Sequence, residues 1–264
     1  LLSTSADGGL ATLERRRRAK IGVTGAGRVG ASVAALLAAA GVGHVAVDDD
    51  GVCAADDCAP GGASIGSVGV SRATVGAAVI QRASASTRVR PFEATERPDL
   101  VVLAPSGGAG PHIGDQLLRD GTPHLLVGVR ETTAVIGPLV VPGESACLRC
   151  LDLRRADRDP AWPMIAAQLA APPPRAPAAA CDVALATLAA SVAALQALTW
   201  IDADANRSSC DGGCSRQTAP FPATFDGTLE VTLPDWRIRR RPWSRHPSCG
   251  CHWVQGSAAD SATG

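Results

Sequence analysis

The sequence predicts an α/β fold built on a doubly wound, mostly parallel sheet. From residue 20 onward, short apolar runs alternate with segments of helix-forming residues, and the first run leads into a glycine-rich turn. Such alternation is typical of parallel sheets covered by helices on both faces. A chain of 264 residues with 46% hydrophobic content can bury a sizeable core.

Each element of the first half is predicted from a local signal. Short runs rich in valine, leucine and isoleucine predict buried strands, and Gly41 and Gly121 end the two helices. In chain order the predicted elements are strand 21–24, helix 29–40, strand 44–49, strand 99–105, helix 113–121, strand 123–130 and strand 133–143.

The second half is predicted to complete the same domain, which spans residues 20–255. Asp182 is expected to cap a helix over 182–202 that is apolar nearly all round and therefore buried. The remaining segments are a linker from a missing or truncated upstream region (1–19), a Pro/Ala-rich loop (171–181), edge strands with a C-terminal extension (228–252) and a disordered tail (256–264).

Composition excludes several functional classes. Twenty-five basic and 25 acidic residues balance, so we expect no nucleic acid partner. No apolar run of membrane-spanning length is free of polar residues, so no membrane partner is expected. Nine cysteines are odd in number and too few for a disulfide scaffold, which favours reduced thiols and metal ligation in the cytoplasm.

The glycine turn predicts a nucleotide site in a Rossmann-like fold. Gly25, Gly27 and Gly30 follow a strand and open a helix, where free N–H groups can bind phosphate. Asp48 and Asp50 belong to a run of three acids about 20 residues on, where a carboxylate can accept the hydroxyls of a ribose. The alternative is a turn needed only for tight packing of the helix on the strand.

Two cysteine pairs predict a structural zinc site that ties the C-terminal extension to the sheet. Four thiolates from two distant segments can close a tetrahedral site with no open position. His246 and His252 flank the second pair as competing ligands, and four free thiols are the alternative. The predicted ligands are Cys147, Cys150, Cys249 and Cys251.

The combination of these motifs resembles the ThiF and ubiquitin-activating-enzyme superfamily. Residues 137–163 and the segment "RHPSCGC" (245–251) are similar to ThiF-like proteins of actinobacterial thiazole/oxazole-modified microcin (TOMM) clusters, which bind a leader peptide or partner a cyclodehydratase. The resemblance covers about residues 20–255. It implies binding of ATP and magnesium and adenylation of a C-terminal carboxylate. It also places the three loop glycines on phosphate and Asp48 or Asp50 on ribose, with Arg72 where an ATP-facing lysine is usual.

Two departures argue against adenylation. Adenylating members carry Asn-Leu-x-Arg-Gln after the strand-end acids, where this chain has "DDCAPGG" (56–62). They carry a magnesium-binding Thr-Asp-Asn after the later strand, where this chain has "APSGG" (104–108), leaving Asp115 as a conceivable substitute. Without a cation and an arginine, little offsets the charge of a triphosphate in the transition state.

Cys181 is the one candidate for a catalytic residue. It precedes the predicted 182–202 helix, near where thioester-forming relatives place their cysteine, and a helix N-terminus lowers the pKa of a thiol. The alternative is a small loop residue. Four further cysteines have no assigned role: Cys53, Cys58, Cys210 and Cys214.

These observations predict a catalytically degenerate scaffold in azole/azoline peptide biosynthesis. It would bind a precursor peptide and present it to a cyclodehydratase, and the resemblance suggests a homodimer. The alternative is an active adenylyltransferase, which would use ATP and magnesium to activate a carboxylate of a peptide or carrier protein. A nicotinamide-dependent oxidoreductase is the third hypothesis, but such an enzyme would not need the paired cysteines.

Overall fold

The structure is a computed structural model that describes residues 7–106, 109, 112–170, 180–208 and 221–251. Several predictions concern residues outside these ranges. They are the disordered tail (256–264), most of the Pro/Ala-rich loop, and the residues Cys210, Cys214 and His252.

The first half of the chain builds a parallel αβ layer. Each strand ends in a short loop that leads to a helix or to a longer connection, as the alternating sequence predicts. The elements are α1 (Leu10–Arg18), β1 (Lys20–Thr24), α2 (Arg28–Ala39), β2 (His44–Asp48), α3 (Arg72–Ala83), β3 (Leu100–Leu103), α4 (Asp115–Arg119) and β4 (His124–Arg130).

The second half adds antiparallel strands and three helices. The predicted edge strands are present as β6 and β7. The sequence pattern does not predict α6, which contains Pro163 in its first turn, where proline is tolerated. The elements are β5 (Thr133–Val140), α5 (Leu148–Ala156), α6 (Trp162–Ala170), α7 (Val183–Ser208), β6 (Gly227–Thr232) and β7 (Ile238–Pro242).

In the described residues, seven strands form one sheet in the order β2-β1-β3-β4-β5-β6-β7. The neighbours β2, β1, β3 and β4 are parallel, whereas β5, β6 and β7 alternate in direction, so five of the seven strands run the same way. The predicted fold class is confirmed. The strand order reverses between β1 and β3, and ligands of such sheets bind beyond the carboxyl ends of the strands at this point.

The core lies between the sheet and α7, which packs against α2, β4 and β5. Ala190, Ala193 and Ala197 on α7 are fully buried, because small side chains let the helix approach its neighbours closely. By length and apolar composition alone, Val183–Ala203 could cross a membrane, but here it is a core helix. Asp182 caps α7 by accepting the backbone N–H of Ala184 at 2.7 Å.

Part of the predicted linker is ordered as α1. Its Arg16 is buried and donates from Nε to the carboxylate of Asp202 on α7 at 2.9 Å. This ion pair attaches α1 to the core helix.

Candidate functional site

The glycine turn lies at the reversal point of the sheet and packs tightly against the end of β3. Gly25 has φ of +91°, and a Cβ there would lie 2.2 Å from the carbonyl oxygen of Ala104. A Cβ at Gly30 would lie 1.8 Å from the carbonyl oxygen of Gly25. Packing alone therefore requires glycine at both positions, whether or not a phosphate binds.

A carboxylate of the chain itself bonds to this loop. Asp49 is 7% exposed, and its Oδ2 accepts the backbone N–H of Ala26 at 2.7 Å while its Oδ1 accepts that of Gly51 at 2.7 Å. Asp48 and Asp50, the predicted ribose ligands, are exposed. The acid that faces the loop is therefore the middle one of the three.

Arg72 at the start of α3 is held by two acids. Its Nε and Nη2 donate to the carboxylate of Asp57 at 2.8 and 3.1 Å, and its Nη1 lies 3.9 Å from Asp49. Asp57 is 1% exposed and also accepts the backbone N–H of Ala54 at 2.8 Å. The bidentate pair fixes the guanidinium and neutralises its charge.

Beside the loop there is a cavity of about 30 Å³, lined in part by Gly27, Ser106 and Cys181. This volume accommodates about one or two water molecules. Arg28 closes one side by donating from Nη1 to the carbonyl oxygen of Cys181 at 2.8 Å, and the Cys181 Sγ lies 3.7 Å from the same nitrogen. The Ser106 hydroxyl is buried without a hydrogen-bond partner in the described part of the chain.

The four predicted metal ligands converge in a small apolar cluster with Val140, Leu151 and Trp243. All four Sγ atoms lie within 4.8 Å of one another, with 3.7 Å between Cys147 and Cys150, 3.4 Å between Cys147 and Cys249, and 3.5 Å between Cys150 and Cys251. Tetrahedral bonds of about 2.3 Å to zinc would separate the sulfurs by about 3.8 Å. The cluster can therefore hold a metal ion.

The α5 helix and the last described residues position these thiols. Cys147 is the N-cap residue of α5 and Cys150 lies in its first turn, so one helix start carries both sulfurs. Hydrogen bonding from the Cys147 thiol lowers the pKa of Cys150, aided by the backbone N–H of His246, which donates to the Cys150 sulfur at 3.3 Å. The same bond to Cys150 raises the pKa of Cys147. A metal ion would replace the shared protons.

His246 does not join the cluster through its ring. Its Nε2 lies 3.0 Å from a carboxylate oxygen of Asp157, which follows α5. The side chain thus fixes the C-terminal segment against the end of α5, while the four sulfurs face one another.

Comparisons with known proteins agree with this geometry. A sequence model of the ThiF family matches residues 3–251. The chain belongs to the ThiF family. A search of curated protein sequences gives no significant match.

Solved structures of ThiF-like proteins share the fold at low identity. E. coli MccB, solved with MccA, aligns at 17% identity with a TM-score of 0.69, covering 93% of this chain and 69% of MccB. MccB with ATP gives the same identity, TM-score and coverage. PaaA aligns at 15% identity with a TM-score of 0.64, covering 88% of this chain and 75% of PaaA.

Within this ThiF-family chain, the end of β3 offers no carboxylate for magnesium, because Ala104, Pro105 and Ser106 follow it. Asp115, the conceivable substitute, begins the short helix α4 and lies 2.8 Å from the Nδ1 of His112. The acids that line the small cavity beside Ser106 are instead Asp56 and Asp57, and the carboxylate of Asp57 is already paired with Arg72.

Sequence reasoning did miss Asp49 and Asp57. Successive side chains of a strand point to opposite faces, so a run of three acids does not reveal which one faces the loop. For Asp57 the available signal was an acid in the segment that replaces Asn-Leu-x-Arg-Gln, 15 residues before Arg72. The pairing of Asp57 with Arg72 depends on how this segment folds back onto α3.

Proposed function

We propose that this chain is a catalytically degenerate scaffold of ribosomal peptide biosynthesis in the cytoplasm. It binds a precursor peptide and presents it to a cyclodehydratase that forms azolines from Cys, Ser or Thr. The observation that carries the proposal is the ion pair of Arg72 with Asp57, because it neutralises the cation that would otherwise face a triphosphate.

The charges around the glycine loop disfavour ATP. Asp49 occupies the N–H of Ala26, a donor of the kind that binds phosphate in such loops. The buried carboxylates of Asp49 and Asp57 face the single guanidinium of Arg72. These three side chains together carry a net negative charge, which repels the phosphates of ATP. Expelling Asp49 and Asp57 from their hydrogen bonds would add to the cost of nucleotide binding.

Peptide binding is supported by the structural neighbours. MccB is a microcin C7 biosynthetic enzyme, and its crystal structures include complexes with MccA and with N-formylated MccA. A shared fold at this identity makes a peptide the leading class of ligand for this chain. The cyclodehydratase partner comes from the resemblance in residues 137–163.

The decisive experiment is calorimetric titration with ATP and magnesium, paired with pyrophosphate exchange into ATP. E. coli MccB, which has been crystallised with ATP, serves as the positive control for binding. We expect no binding by this chain up to millimolar nucleotide and no exchange in the presence of precursor peptide. Peptide and cyclodehydratase should still co-purify with the chain when nucleotide is absent.

The alternative is an ATP-dependent adenylyltransferase. It is favoured by the retained turn, in which Gly25 keeps its positive φ and α2 starts at Arg28. Micromolar ATP binding, or peptide-dependent exchange, would establish this alternative and overturn the scaffold proposal.

We also propose that the metal is zinc and that its role is structural. Four cysteine sulfurs are the donor set of closed tetrahedral zinc sites, and three of these thiols are buried away from solvent. Cys147→Ser should reduce bound zinc from one ion per chain to none by elemental analysis, whereas Cys58→Ser should leave it unchanged. Full zinc content in the Cys147→Ser protein would refute the ligand assignment.

A homodimer is part of the proposal, because the resembling proteins suggest one. Sedimentation of the zinc-loaded chain at micromolar concentration should give twice the mass of 26.8 kDa calculated for one chain. A single species at the monomer mass would refute the homodimer and leave the proposed scaffold role intact.

A further inference from the structure

A second and larger cavity lies on the face of the sheet opposite α7. Its volume is about 430 Å³. Ligand pockets typically have volumes of about 300–1,000 Å³. The cavity lies between the strands β4 to β6 and the helices α5 and α6. It adjoins the water-sized cavity at the glycine loop, because Pro105, Val127, Gly128 and Val129 line both.

The floor of the cavity has a gap at Gly128. On β4, Leu126, Gly128 and Arg130 alternate and so share one face, where Gly128 pairs with Val135 of β5. A Cβ built on Gly128 would meet no heavy atom within 4 Å. Its φ does not lie in the left-handed region, so the backbone does not require glycine here. The missing side chain leaves open space in the middle of the floor.

The walls around this gap are mostly apolar. Leu148 and Leu151 of α5 face the cavity together with Asp152 and Arg155, at the spacing of a single helix face. Ile113 and the ring of Trp162 are further lining residues. A large apolar group placed over Gly128 would therefore be surrounded by hydrocarbon and aromatic surface.

One cation is held at the rim of the cavity. The guanidinium of Arg155 lies 4.8 Å from the ring centroid of Trp162 and 5.4 Å from that of Trp243. Asp152 binds Arg155 at 3.2 Å and accepts the indole N–H of Trp162 at 3.1 Å. Arg155 thus has a fixed position with further N–H donors left for carbonyl oxygens of a ligand.

We infer that the cavity over Gly128 binds a large apolar side chain of the precursor peptide, and that Gly128 determines this specificity. The inference rests on the proposed peptide-binding function and deepens it. The apolar side chain lies over Gly128 between β4 and α5, while Arg155 and the hydroxyl of Thr133 at the rim bind the peptide backbone. A side chain at position 128 would occupy the same space.

The test selects peptides from a displayed library of random twelve-residue sequences on the zinc-loaded chain. Selected peptides should share one large apolar residue, and its replacement by alanine should weaken binding at least tenfold. Gly128→Leu should weaken binding of these peptides at least tenfold, with Gly128→Ala intermediate. Gly66→Leu is the matched control, because a Cβ there meets only the Ser64 hydroxyl at 3.9 Å and lies outside the cavity lining.

The outcomes separate this inference from the proposed function. Selected peptides that bind Gly128→Leu and Gly128→Ala as tightly as the parent chain would overturn the inference and leave peptide binding intact. A selection without any enriched peptide would overturn peptide binding, and the inference with it. Leucine and alanine both favour a strand more than glycine does, and circular dichroism with thermal melting verifies that the variants fold.

Discussion

Asp57 shows how one buried side chain can fix an arginine beside the glycine turn. It is the bidentate partner of Arg72 and is itself held by the N–H of Ala54. Because the pair satisfies both charges inside the protein, it contributes to the stability of this region.

We predict that Asp57→Asn lowers the free energy of unfolding by about 3 kcal/mol. Removing one partner of a buried ion pair leaves the charge of the other partner uncompensated. The expected loss lies at the low end of the usual range, because Asp49 still lies near Arg72 and partly offsets its charge. Urea denaturation measures the loss. The exposed neighbour Asp56→Asn is the control and should change stability by less than about 0.5 kcal/mol. Equal effects of the two variants would contradict the structural role of the pair.

His124 on β4 makes stability depend on pH. It is 1% exposed, and burial lowers its pKa, whereas the carbonyl oxygen of Thr122, 3.0 Å from Nδ1, opposes the shift. Above about pH 6.5 the imidazole is neutral in both the folded and the unfolded chain. Below that pH the unfolded chain binds a proton that the folded chain does not, so stability falls as pH falls.

The expected slope is up to about 1.4 kcal/mol per pH unit between pH 6.5 and the lowered pKa. Denaturation at pH 7 and pH 5.5, in excess zinc, should show this loss in the parent chain and a smaller loss in His124→Leu. His112→Ala, at an exposed histidine, should retain the parent slope. If the free energy of unfolding of His124→Leu falls with pH as steeply as that of the parent chain, the acid sensitivity comes from other groups.

At the scale of elements, α7 has one face that tolerates little change and one that tolerates much. Ala193 is fully buried in the core, whereas Leu195 is 61% exposed only two residues away. The apolar composition of the helix is nearly uniform, so sequence alone does not distinguish the two faces.

Ala193→Leu should therefore destabilise the protein by about 1–3 kcal/mol, because added methylene groups find no space in a packed core. Leu195→Ala on the same helix should stay within about 0.5 kcal/mol of the parent. For a domain of this size, thermal melting should detect about 2–4 °C per kcal/mol. A larger loss in the exposed variant would indicate that this face is covered by a partner.

At the scale of the whole molecule, the cysteine cluster closes a long loop. Cys150 and Cys251 are 101 residues apart in sequence, and their sulfurs lie 3.5 Å from each other. Trp243 joins the same apolar cluster and donates from its indole N–H to Thr228 of β6 at 3.1 Å. The cluster therefore links α5, β6 and the C-terminal segment.

Removing the metal should lower the melting temperature by about 10 °C. A covalent cross-link of a 100-residue loop contributes about 4.7 kcal/mol through the unfolded chain, and a metal cross-link acts in the same way. Chelation followed by melting tests this, with limited proteolysis expected to cut within residues 243–251. The Cys147→Ser protein should show no further change with chelator. Unchanged melting of the parent after verified metal removal would contradict a structural role.

Much of the fold followed from local patterns. Apolar runs of strand length and glycine stops predicted β1, α2 and β4 within a few residues. The site was predicted less completely, because the run of three acids did not reveal that Asp49 faces the loop. Cys147 and Cys150 were recognisable from their two-residue spacing, and the structure places both at the start of α5.

The sequence by itself determined the strand–turn–helix unit, the two cysteine pairs and the apolar helix α7, since each depends on residues close together in the chain. Only the tertiary structure decided that Arg72 is paired with Asp57, and that Gly128 lies at the floor of a cavity facing α5. Such contacts join elements distant in sequence. They depend on packing and strand register, which local propensity does not set.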